Sequence, residues 1–570
     1  MKLLPILAGL AVVPFLNAAP EIFPLKDVRA GQHGVGRTVF AGNRVEEFQV
    51  EVLGVLENVG PRQSIILARL SGGPLAETGV LQGMSGSPVY IDGKLVGAVA
   101  LGFSEAKVAI AGIRPIEEML RVEPKTPTAL ASVRPRASFV SGGMRLEEIA
   151  TPLAFSGFTA ATLEHFTPQL RALGLDPQQG VSGGGNPPDK LGDPATLEPG
   201  SMISVHLLSG DLSVNADGTV TAVDGDKIYA FGHRFMATGP TDLPFARAEV
   251  LALLPNLANS FKISQATEWM GAITADRDTA ISGIMGRRAA IAPIEIRVGK
   301  NVYHMSVARD PILTPLVTQM AVFSAIDSTE RSVGPATYAV HGHADFEGGS
   351  VKLDNVYSGD VNTATMASLG VATPLSYALT SGFDALRLKS VTLEIDATEA
   401  HNQMRIADAF APHQAHPGED VEINVVFSGE GGAETVKTVR YRVPVGAPVG
   451  LLYLTVSDAS SANLFEFQGA LGAQARSAAQ VLSLLNGLRS NTSAYVRVWR
   501  ADAAYSMDGR DLPDPPASLA AILGRSQPGA ASQASTRGAK VAEIEVPAGE
   551  NPAGKYVVTG SKTIQIEVKE

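Results

Sequence analysis

Alternating apolar and polar residues mark the first hundred or so positions as a β-rich module. Phe48 to Leu53 alternates with a period of two, which predicts a half-buried strand. Val89 to Ile91 and Lys94 to Ala100 flank Asp92-Gly93, a dipeptide that favours a two-residue hairpin turn. We expect these strands to form a small barrel or sandwich, closed by a short helix near Pro115 to Leu120. This module is predicted to cover residues 20–124.

The pattern changes beyond this module. Residues 125–200 are rich in Pro, Gly and Ser around a segment whose apolar spacing predicts a partial helix, and we interpret them as a linker. Residues 201–415 alternate again and predict a second, larger β-rich domain. Within that domain, the run Ala248 to Leu254 is stopped by Pro255 and is interpreted as a short helix.

The last third of the chain predicts a different β domain. Residues 416–505 contain regular alternating strands with Gly and Pro turns, which is typical of an immunoglobulin-like sandwich. Ala475 to Leu488 is predicted as one amphipathic helix. Residues 506–540 are interpreted as a flexible linker, and residues 541–570 as a last pair of strands.

Composition limits the cellular compartment in which the protein acts and the kinds of partner that it can have. The net charge of −11 argues against nucleic acid as a partner, and the absence of cysteine excludes disulfides, thiolate metal sites and a thiol nucleophile. Residues 1–19 form a short apolar run with a small-residue exit, which predicts a signal peptide. We therefore expect an exported protein, periplasmic or secreted, with no integral membrane segment after the signal is removed.

The stretch Gly83-Met84-Ser85-Gly86-Ser87-Pro88 carries the candidate chemistry. A serine between glycines suits a tight bend that presents the hydroxyl and leaves backbone N–H groups free to bind a neighbouring oxygen. This predicts Ser85 as a nucleophile and the N–H groups of Gly83 and Ser85 as its oxyanion hole. From spacing alone, a Gly-rich turn with an incidental serine is an equal alternative.

The strand after this bend is unusually small in its side chains. Gly97, Ala98 and Ala100 would let an extended backbone lie alongside, as a peptide does when it adds a strand to a sheet. We predict them as a substrate strand.

Three blocks resemble one known family. Gly34 to Phe40, Phe48 to Leu53 and Gly79 to Ala98 are similar to the SpoIVB peptidase family, whose serine peptidases resemble distant members of the chymotrypsin-like clan. The resemblance implies two β-barrel-like modules, with the nucleophile after Gly-Met, which is Ser85 here. It also implies a general base in a strand that ends in Gly-His, and Gly232-His233 matches that pattern.

The order of these two residues departs from the family's pattern. His233 follows Ser85 by 148 residues, whereas the family's histidine precedes its serine. This inversion resembles a permutation of the two barrels, and catalytic triads are recognised by geometry rather than by chain order. The family's carboxylate has no counterpart near Ser71. We predict Asp242 as the orienting acid, with Asp226 or a dyad without an acid as the alternatives.

Three other histidines could have either a functional role or none. His33 lies in the same module as Ser85 and is a rival base. His341 and His343, with Asp345, place two imidazoles on one face of a strand, but no third ligand is evident, so we interpret them as exposed strand residues. The sequence therefore predicts neither a metal nor a cofactor.

The sequence is compatible with two functions. The first is an exported serine endopeptidase with Ser85 as nucleophile and His233 as general base, which acts on protein or peptide substrates. The alternative is a catalytically inactive, peptidase-like protein that binds envelope proteins or peptides. The missing acid and the inverted order favour the alternative, whereas the serine motif and the resemblance favour the peptidase.

Overall fold

The computed structural model describes residues 20–60, 62–103, 106–122, 138–141, 144–149, 151–180, 190–256, 260–329, 334–472, 475–501, 504–507, 510–512, 517–523, 532–535 and 540–570. The chain forms two compact units, the first comprising Met1–Ile291 with Met305–Leu313 and the second Ala292–His304 with Thr314–Glu570. Both predicted site residues, Ser85 and His233, belong to the first unit.

The first unit begins with a closed six-stranded barrel. Its elements are β1 (His33–Val39), β2 (Val45–Gly60), β3 (Gln63–Ser71), α1 (Leu75–Thr78), β4 (Pro88–Ile91), β5 (Lys94–Phe103), β6 (Ile110–Pro115) and α2 (Ile116–Met119). The strands pair in the order β4-β1-β2-β3-β6-β5, and β5 returns to β4 to close the ring. A hairpin of β7 (Ser138–Ser141) and β8 (Met144–Glu148) pairs with β5. Phe48, Ile66 and Val99 lie in the buried core.

A second six-stranded barrel follows in the same unit. The connection contains β9 (Thr151–Ser156), α3 (Ala160–Ala172) and β10 (Leu175–Gln179). The barrel strands are β11 (Met202–Gly210), β12 (Ser213–Asp224), β13 (Lys227–Ala230), β14 (Gly239–Leu254), β15 (Phe261–Arg277) and β16 (Ala280–Met285). They pair in the order β11-β12-β13-β16-β15-β14, and β14 returns to β11.

One local prediction in this barrel is wrong. Ala248 to Leu254 is not a helix, because it forms the end of β14 and pairs with β15 from Ala248 opposite Ala266 to Leu254 opposite Phe261. Ala and Leu favour helices intrinsically, but the pairing of two long strands overrides that preference.

The second unit starts with a mixed sheet and two long helices. Its elements are β17 (Ile291–Val298), the first half of β18 (Asn301–Ala308), α4 (Leu313–Thr329), β19 (Ala336–Phe346), β20 (Gly349–Lys352), β21 (Asn355–Gly359), α5 (Thr363–Thr380) and β22 (Leu388–Thr398), while the second half of β18 belongs to the first unit. Strands β17, β22, β19 and β20 pair in that order, and β21 pairs with β19. The two helices lack a distinct polar face, so their period could not be recognised in the sequence.

The remainder of the second unit contains a two-sheet sandwich. Its elements are β23 (Gln403–Phe410), β24 (Gln414–Ala415), β25 (Asp420–Ser428), β26 (Glu434–Arg442), β27 (Gly450–Ser457), α6 (Ala459–Gly472), α7 (Ala478–Asn486), β28 (Ser493–Trp499), β29 (Ala504–Met507), β30 (Arg510–Leu512), α8 (Ala517–Leu523), β31 (Ser532–Ser535), β32 (Lys540–Pro547), β33 (Glu550–Asn551), β34 (Gly554–Lys555), β35 (Val557–Thr559) and β36 (Ser561–Val568). One sheet has the order β26-β25-β23-β35 and the other β24-β36-β27-β28-β32.

The sandwich core is formed by side chains of both sheets, among them Phe427, Leu454, Val496 and Ile566. The chain is mainly β, with two barrel modules followed in the sequence by a sandwich, which confirms the predicted fold class. The amphipathic helix is also confirmed, as α7. One detail needs correction, because β32 and β36 are strands of the sandwich rather than a separate C-terminal segment.

No helix in the described ranges is long and apolar enough to cross a membrane.

Two strand glycines in the first barrel provide a matched test of its packing. A Cβ on Gly97 would lie 2.1 Å from the carbonyl oxygen of Arg114, whereas a Cβ on Gly54 would meet nothing within 4 Å. We expect Gly97→Ala to lower the free energy of unfolding of the first unit by about 1–3 kcal/mol, because the strands must move apart. Gly54→Ala is the control and should leave it nearly unchanged. Urea denaturation of both variants measures the difference, and equal stability would contradict the described packing.

Candidate active site

A tight turn between α1 and β4 carries Ser85. The N–H of Ser87 donates to the carbonyl oxygen of Met84 at 2.9 Å, which closes the chain around Ser85 and Gly86. Gly83 and Gly86 have φ values of +89° and +91°, in the left-handed region that glycine adopts without strain. The Gly-Met-Ser-Gly-Ser sequence therefore folds as the bend that its glycines predict. We call residues 83–87 the serine bend.

Strand β12 of the second barrel binds the carbonyl groups of the serine bend. The N–H of Thr219 donates to the oxygen of Ser85 at 2.8 Å, and its hydroxyl donates to the oxygen of Gly83 at 2.9 Å. The hydroxyl of Thr221 donates to the oxygen of Gly86 at 2.7 Å. The bend belongs to the first barrel in sequence, but its conformation is held by the second.

The approach of the two barrels leaves no room for a side chain at Gly86. A Cβ there would lie 2.0 Å from the oxygen of Thr219 and 2.5 Å from the nitrogen of Phe231. The glycine after Ser85 is therefore required both by its backbone conformation and by the contact with the second barrel.

His233 follows β13 in a turn that packs on the first barrel. Phe231 and Gly232 both have positive φ, +70° and +69°. A Cβ on Gly232 would lie 3.1 Å from the Cβ of Ala100 and 3.4 Å from that of Ala98. The small side chains on β5 therefore allow the turn that carries His233 to approach this strand.

The ring of His233 has a defined orientation. Its Nδ1 lies 2.7 Å from the carbonyl oxygen of Arg234. Because a carbonyl oxygen can only accept a hydrogen bond, Nδ1 carries the proton. In the neutral ring, the lone pair is then on Nε2, which is the state required of a general base that accepts its proton at that nitrogen.

The turns that carry Ser85 and His233 meet at one carbonyl group of β5. The N–H of Gly86 donates to the oxygen of Val99 at 2.7 Å, and a Cβ on Gly232 would lie 3.3 Å from the same oxygen. The structure therefore brings the neighbourhoods of Ser85 and His233 together from separate barrels. Both side chains are buried, with exposed fractions of 0% and 1%.

Two N–H groups of the bend have the properties of an oxyanion hole. Among the described residues, neither the N–H of Gly83 nor that of Ser85 has a hydrogen-bond partner, although both residues are buried. The Oγ of Ser85 likewise has no partner in the described part of the chain. Buried polar groups normally form hydrogen bonds, so a cluster of unpartnered ones beside a serine indicates a site prepared for another molecule.

A buried carboxylate holds the loop that follows His233. Asp276 on β15 accepts N–H groups of Phe235, Met236 and Thr238 at 2.8, 2.7 and 3.3 Å. Burial raises the pKa of Asp276 to about 6, although the N–H groups oppose that shift. Sequence reasoning missed this residue. No local pattern distinguishes it, because β15 also carries other polar residues such as Thr274 and Arg277.

A buried guanidinium braces the same turn from the first barrel. Arg114 has no exposed surface, and its Nε donates to the carbonyl oxygen of Gly232 at 3.4 Å. Its Nη1 donates to Gln63 at 3.2 Å and to Glu118 at 3.5 Å. Burial lowers the pKa of Arg114, and the Glu118 carboxylate opposes that shift. Arg114 therefore acts on the position of the turn rather than on its chemistry.

Comparison with known families adds to this geometry. Residues 13–120 match the model of the SpoIVB peptidase S55 family. The matched segment contains the first barrel and Ser85 and ends before His233, so it spans about a fifth of the chain. The match supports a serine peptidase, which is a hydrolase that acts on protein or peptide substrates. The β-rich barrels are consistent with the chymotrypsin-like fold of this family. Searches of curated proteins and of solved structures gave no match.

The structure corrects the predicted substrate strand of this peptidase-like barrel. Gly97 and Ala98 pair with β4 on one side and with β6 on the other. The oxygen of Ala100 accepts the N–H of Ile149. No edge of β5 is therefore free at these positions for a peptide. The small side chains of Ala98 and Ala100 are explained by their contact with the turn Phe231 to His233, which we call the histidine turn.

The two aspartates predicted as the orienting acid have contacts or positions that do not involve His233. Asp242 accepts the Ala290 N–H at 2.8 Å and the Arg287 guanidinium at 3.2 Å, near the surface. Asp226 is exposed in the turn between β12 and β13. Neither of these contacts orients His233, so the family's acid remains a prediction for this chain.

The three other histidines considered in the sequence, His33, His341 and His343, occupy surface positions. His33 is exposed on β1 and lines a cavity of about 370 Å³ together with Arg37 and Tyr90. The cavity that His233 lines is far smaller, about 10 Å³. In the second unit, His341 and His343 lie beside two different carboxylates. Over the described ranges, no group of three or more His, Asp or Glu side chains is arranged to hold a metal ion.

The raised pKa of Asp276 predicts how its contribution to stability depends on pH. The native chain binds this proton more tightly than the unfolded chain, whose carboxyl has a pKa of 3.8. The free energy of unfolding contributed by Asp276 therefore rises as the pH falls from about 6 towards 4, by up to about 3 kcal/mol.

Urea denaturation of the wild type and of Asp276→Asn at several pH values tests this. The wild type should gain stability relative to the variant as the pH falls through this range. A difference between the two proteins that does not change with pH would contradict the assignment.

Proposed function

We propose that this chain is an exported serine endopeptidase in which Ser85 is the nucleophile and His233 the general base. The observation that carries the proposal is the convergence of the two turns on the Val99 carbonyl group. Supporting it are the family match around Ser85 and the two unpartnered N–H groups beside it. Export rests on the signal-like segment at residues 1–19.

The proposed first chemical step is acylation of Ser85. The Oγ of Ser85 attacks the peptide carbonyl carbon while its proton passes to the Nε2 of His233. Negative charge develops on the carbonyl oxygen, which the N–H groups of Gly83 and Ser85 stabilise. The imidazolium then gives its proton to the leaving amine, which breaks the peptide bond and leaves an acyl group on Ser85.

Hydrolysis of this acyl group completes the cycle. A water molecule attacks the ester carbonyl while His233 removes its proton, and the same two N–H groups stabilise the second oxyanion. The proton returns to the Oγ of Ser85 as the carboxylic acid leaves. The Arg234 carbonyl keeps the proton of the neutral ring on Nδ1 throughout. Asp276 holds the following loop in place.

Catalysis by this site also requires that a peptide can reach the buried nucleophile. Since Ser85 and His233 are buried, a peptide reaches them only after the residues that cover them have moved. The described state is therefore closed, and the rate of opening enters the overall rate.

Labelling by a fluorophosphonate tests the nucleophile directly. The reagent forms a bond to an activated serine oxygen with loss of fluoride, so the wild type should be labelled and Ser85→Ala should not. Ser71→Ala is the control, because Ser71 lies exposed at the end of β3. In-gel fluorescence of the three purified proteins measures the outcome. Equal labelling of the wild type and Ser85→Ala would remove Ser85 as the nucleophile.

Replacement of the base tests the second role. His233→Gln keeps a polar side chain but cannot accept the serine proton, so labelling and hydrolysis of a fluorogenic protein substrate should slow by roughly 10²- to 10⁴-fold. Progress curves of both reactions measure the change, with circular dichroism to check the fold. A folded variant with the rate of the wild type would exclude His233 as the base.

The burial of both residues favours one alternative, a peptidase-like protein that binds envelope proteins or peptides without cleaving them. That function predicts a wild type that is folded but takes no label and cleaves no substrate. The same labelling experiment therefore separates the two proposals.

A further inference from the structure

A buried lysine from the second barrel contacts the chain at the start of the serine bend and is linked to the end of the bend through Thr38. The backbone N–H of Lys262, near the start of β15, donates to the carbonyl oxygen of Gln82 at 3.2 Å, just before the bend. Its Nζ lies 2.8 Å from the Oγ1 of Thr38 on β1. The Oγ of Ser87, at the end of the bend, lies 3.1 Å from the same Thr38 oxygen.

The alkyl part of Lys262 covers the middle of this contact. A Cβ on Gly83 would lie 3.2 Å from the Cδ of Lys262 and 3.3 Å from the methyl carbon of Met202. Lys262 is 4% exposed, whereas Thr38 and Ser87 have no exposed surface. The three polar side chains therefore form a chain of hydrogen bonds that is sealed from solvent.

The charge of Lys262 determines the direction of these hydrogen bonds. A protonated Nζ can only donate, so Thr38 must accept from it, and the hydroxyl hydrogen of Thr38 is then free to point towards the Oγ of Ser87. A neutral Nζ can accept, so the single hydroxyl hydrogen of Thr38 can turn towards it and leave Thr38 to accept from Ser87. Burial lowers the pKa of Lys262 to about 7, so both forms are populated near neutral pH.

The titratable and charged side chains on the elements around Lys262 are His33 and Arg37 on β1, Glu77 on α1, Asp176 on β10, His206 on β11, Asp217 and Asp224 on β12, and Asp242, Arg247 and Glu249 on β14. Several have other partners. Arg37 pairs with Glu47, and Asp217 is held within its own buried cluster of Ser204, Asn215 and Ser264. Burial is the cause of the lowered pKa of Lys262, with no charged side chain contributing.

Ser87 links the protonation state of Lys262 to the main chain around Ser85. Its N–H closes the turn on Met84, and its carbonyl oxygen accepts the N–H of Val99 at 2.9 Å. A change in the side-chain hydrogen bond of Ser87 therefore acts on the residue that ends the bend around Ser85.

We propose that Lys262 is a positioning residue of this peptidase, which through Thr38 and Ser87 sets the conformation of the bend that presents Ser85. Gain or loss of its proton shifts the serine bend between two hydrogen-bonded forms. This inference rests on the proposed role of Ser85 as nucleophile.

Methyl NMR of methionine tests the lysine and the bend separately. The chain has 13 methionines. The Sδ of Met202 lies 4.0 Å from the Nζ of Lys262, so its methyl group reports the charge of the lysine. Met84 lies within the bend and reports its conformation. Met202→Leu and Met84→Leu assign the two signals.

Both methyl signals should titrate in the wild type with a midpoint near 7. In Lys262→Met neither should titrate in this range. In Thr38→Val, which keeps the lysine but removes the hydroxyl, Met202 should still titrate and Met84 should not. A Met84 signal that does not titrate in the wild type, or that titrates unchanged in Thr38→Val, would overturn the proposal. A Met202 signal that does not titrate would also overturn it.

The rate of fluorophosphonate labelling supplies the functional measurement. It should follow the titration of Met84 in the wild type and fall by roughly tenfold to a hundredfold in Lys262→Met and Thr38→Val. Lys300→Met is the control, because Lys300 is exposed in the second unit. Unchanged rates and pH profiles in both folded variants would overturn the proposal. If the wild type takes no label, the proposed peptidase fails, and the methyl titrations still decide whether Lys262 controls the bend.

Discussion

The hydrogen bonds from Thr219 and Thr221 to the serine bend are the contacts on which the site depends. They satisfy the carbonyl groups of Gly83, Ser85 and Gly86, which would otherwise be buried without partners. Each such bond contributes only about 1 kcal/mol net, but losing one leaves a buried carbonyl without a partner, at a greater cost. The bend therefore keeps its conformation only while the two barrels are docked.

This docking also explains the arrangement of the remaining polar groups. β12 binds the carbonyl groups of the bend, whereas the N–H groups of Gly83 and Ser85, the proposed oxyanion hole, have no hydrogen-bond partner among the described residues. The histidine turn reaches the same place because Ala98 and Ala100 are small. The residues proposed as nucleophile and general base thus come from two modules far apart in the sequence. An inverted chain order is no obstacle to such a site, since only the final geometry matters.

Local features of the first barrel were predictable from the sequence. The Asp92-Gly93 hairpin is present, with φ values of +49° and +74° at its two turn residues. The serine bend is likewise determined by its own glycines. These features depend on short-range backbone geometry, which the residue types specify directly.

Features that depend on distant partners were not predictable. Asp276 and Lys262 resemble ordinary polar positions of a strand, and only the fold places one beside the loop after His233 and the other beside the serine bend. The small residues of β5 gave the correct signal of a close approach but not the identity of the approaching segment. The family model likewise covers only the barrel that carries the serine.

We propose that the two docked barrels activate one serine among the many in this chain. Peptide mapping by tandem mass spectrometry of the fluorophosphonate-treated wild type measures it most directly. We expect a phosphonyl group on Ser85 alone. A phosphonyl group on Ser87, or on any other serine in place of Ser85, would contradict it.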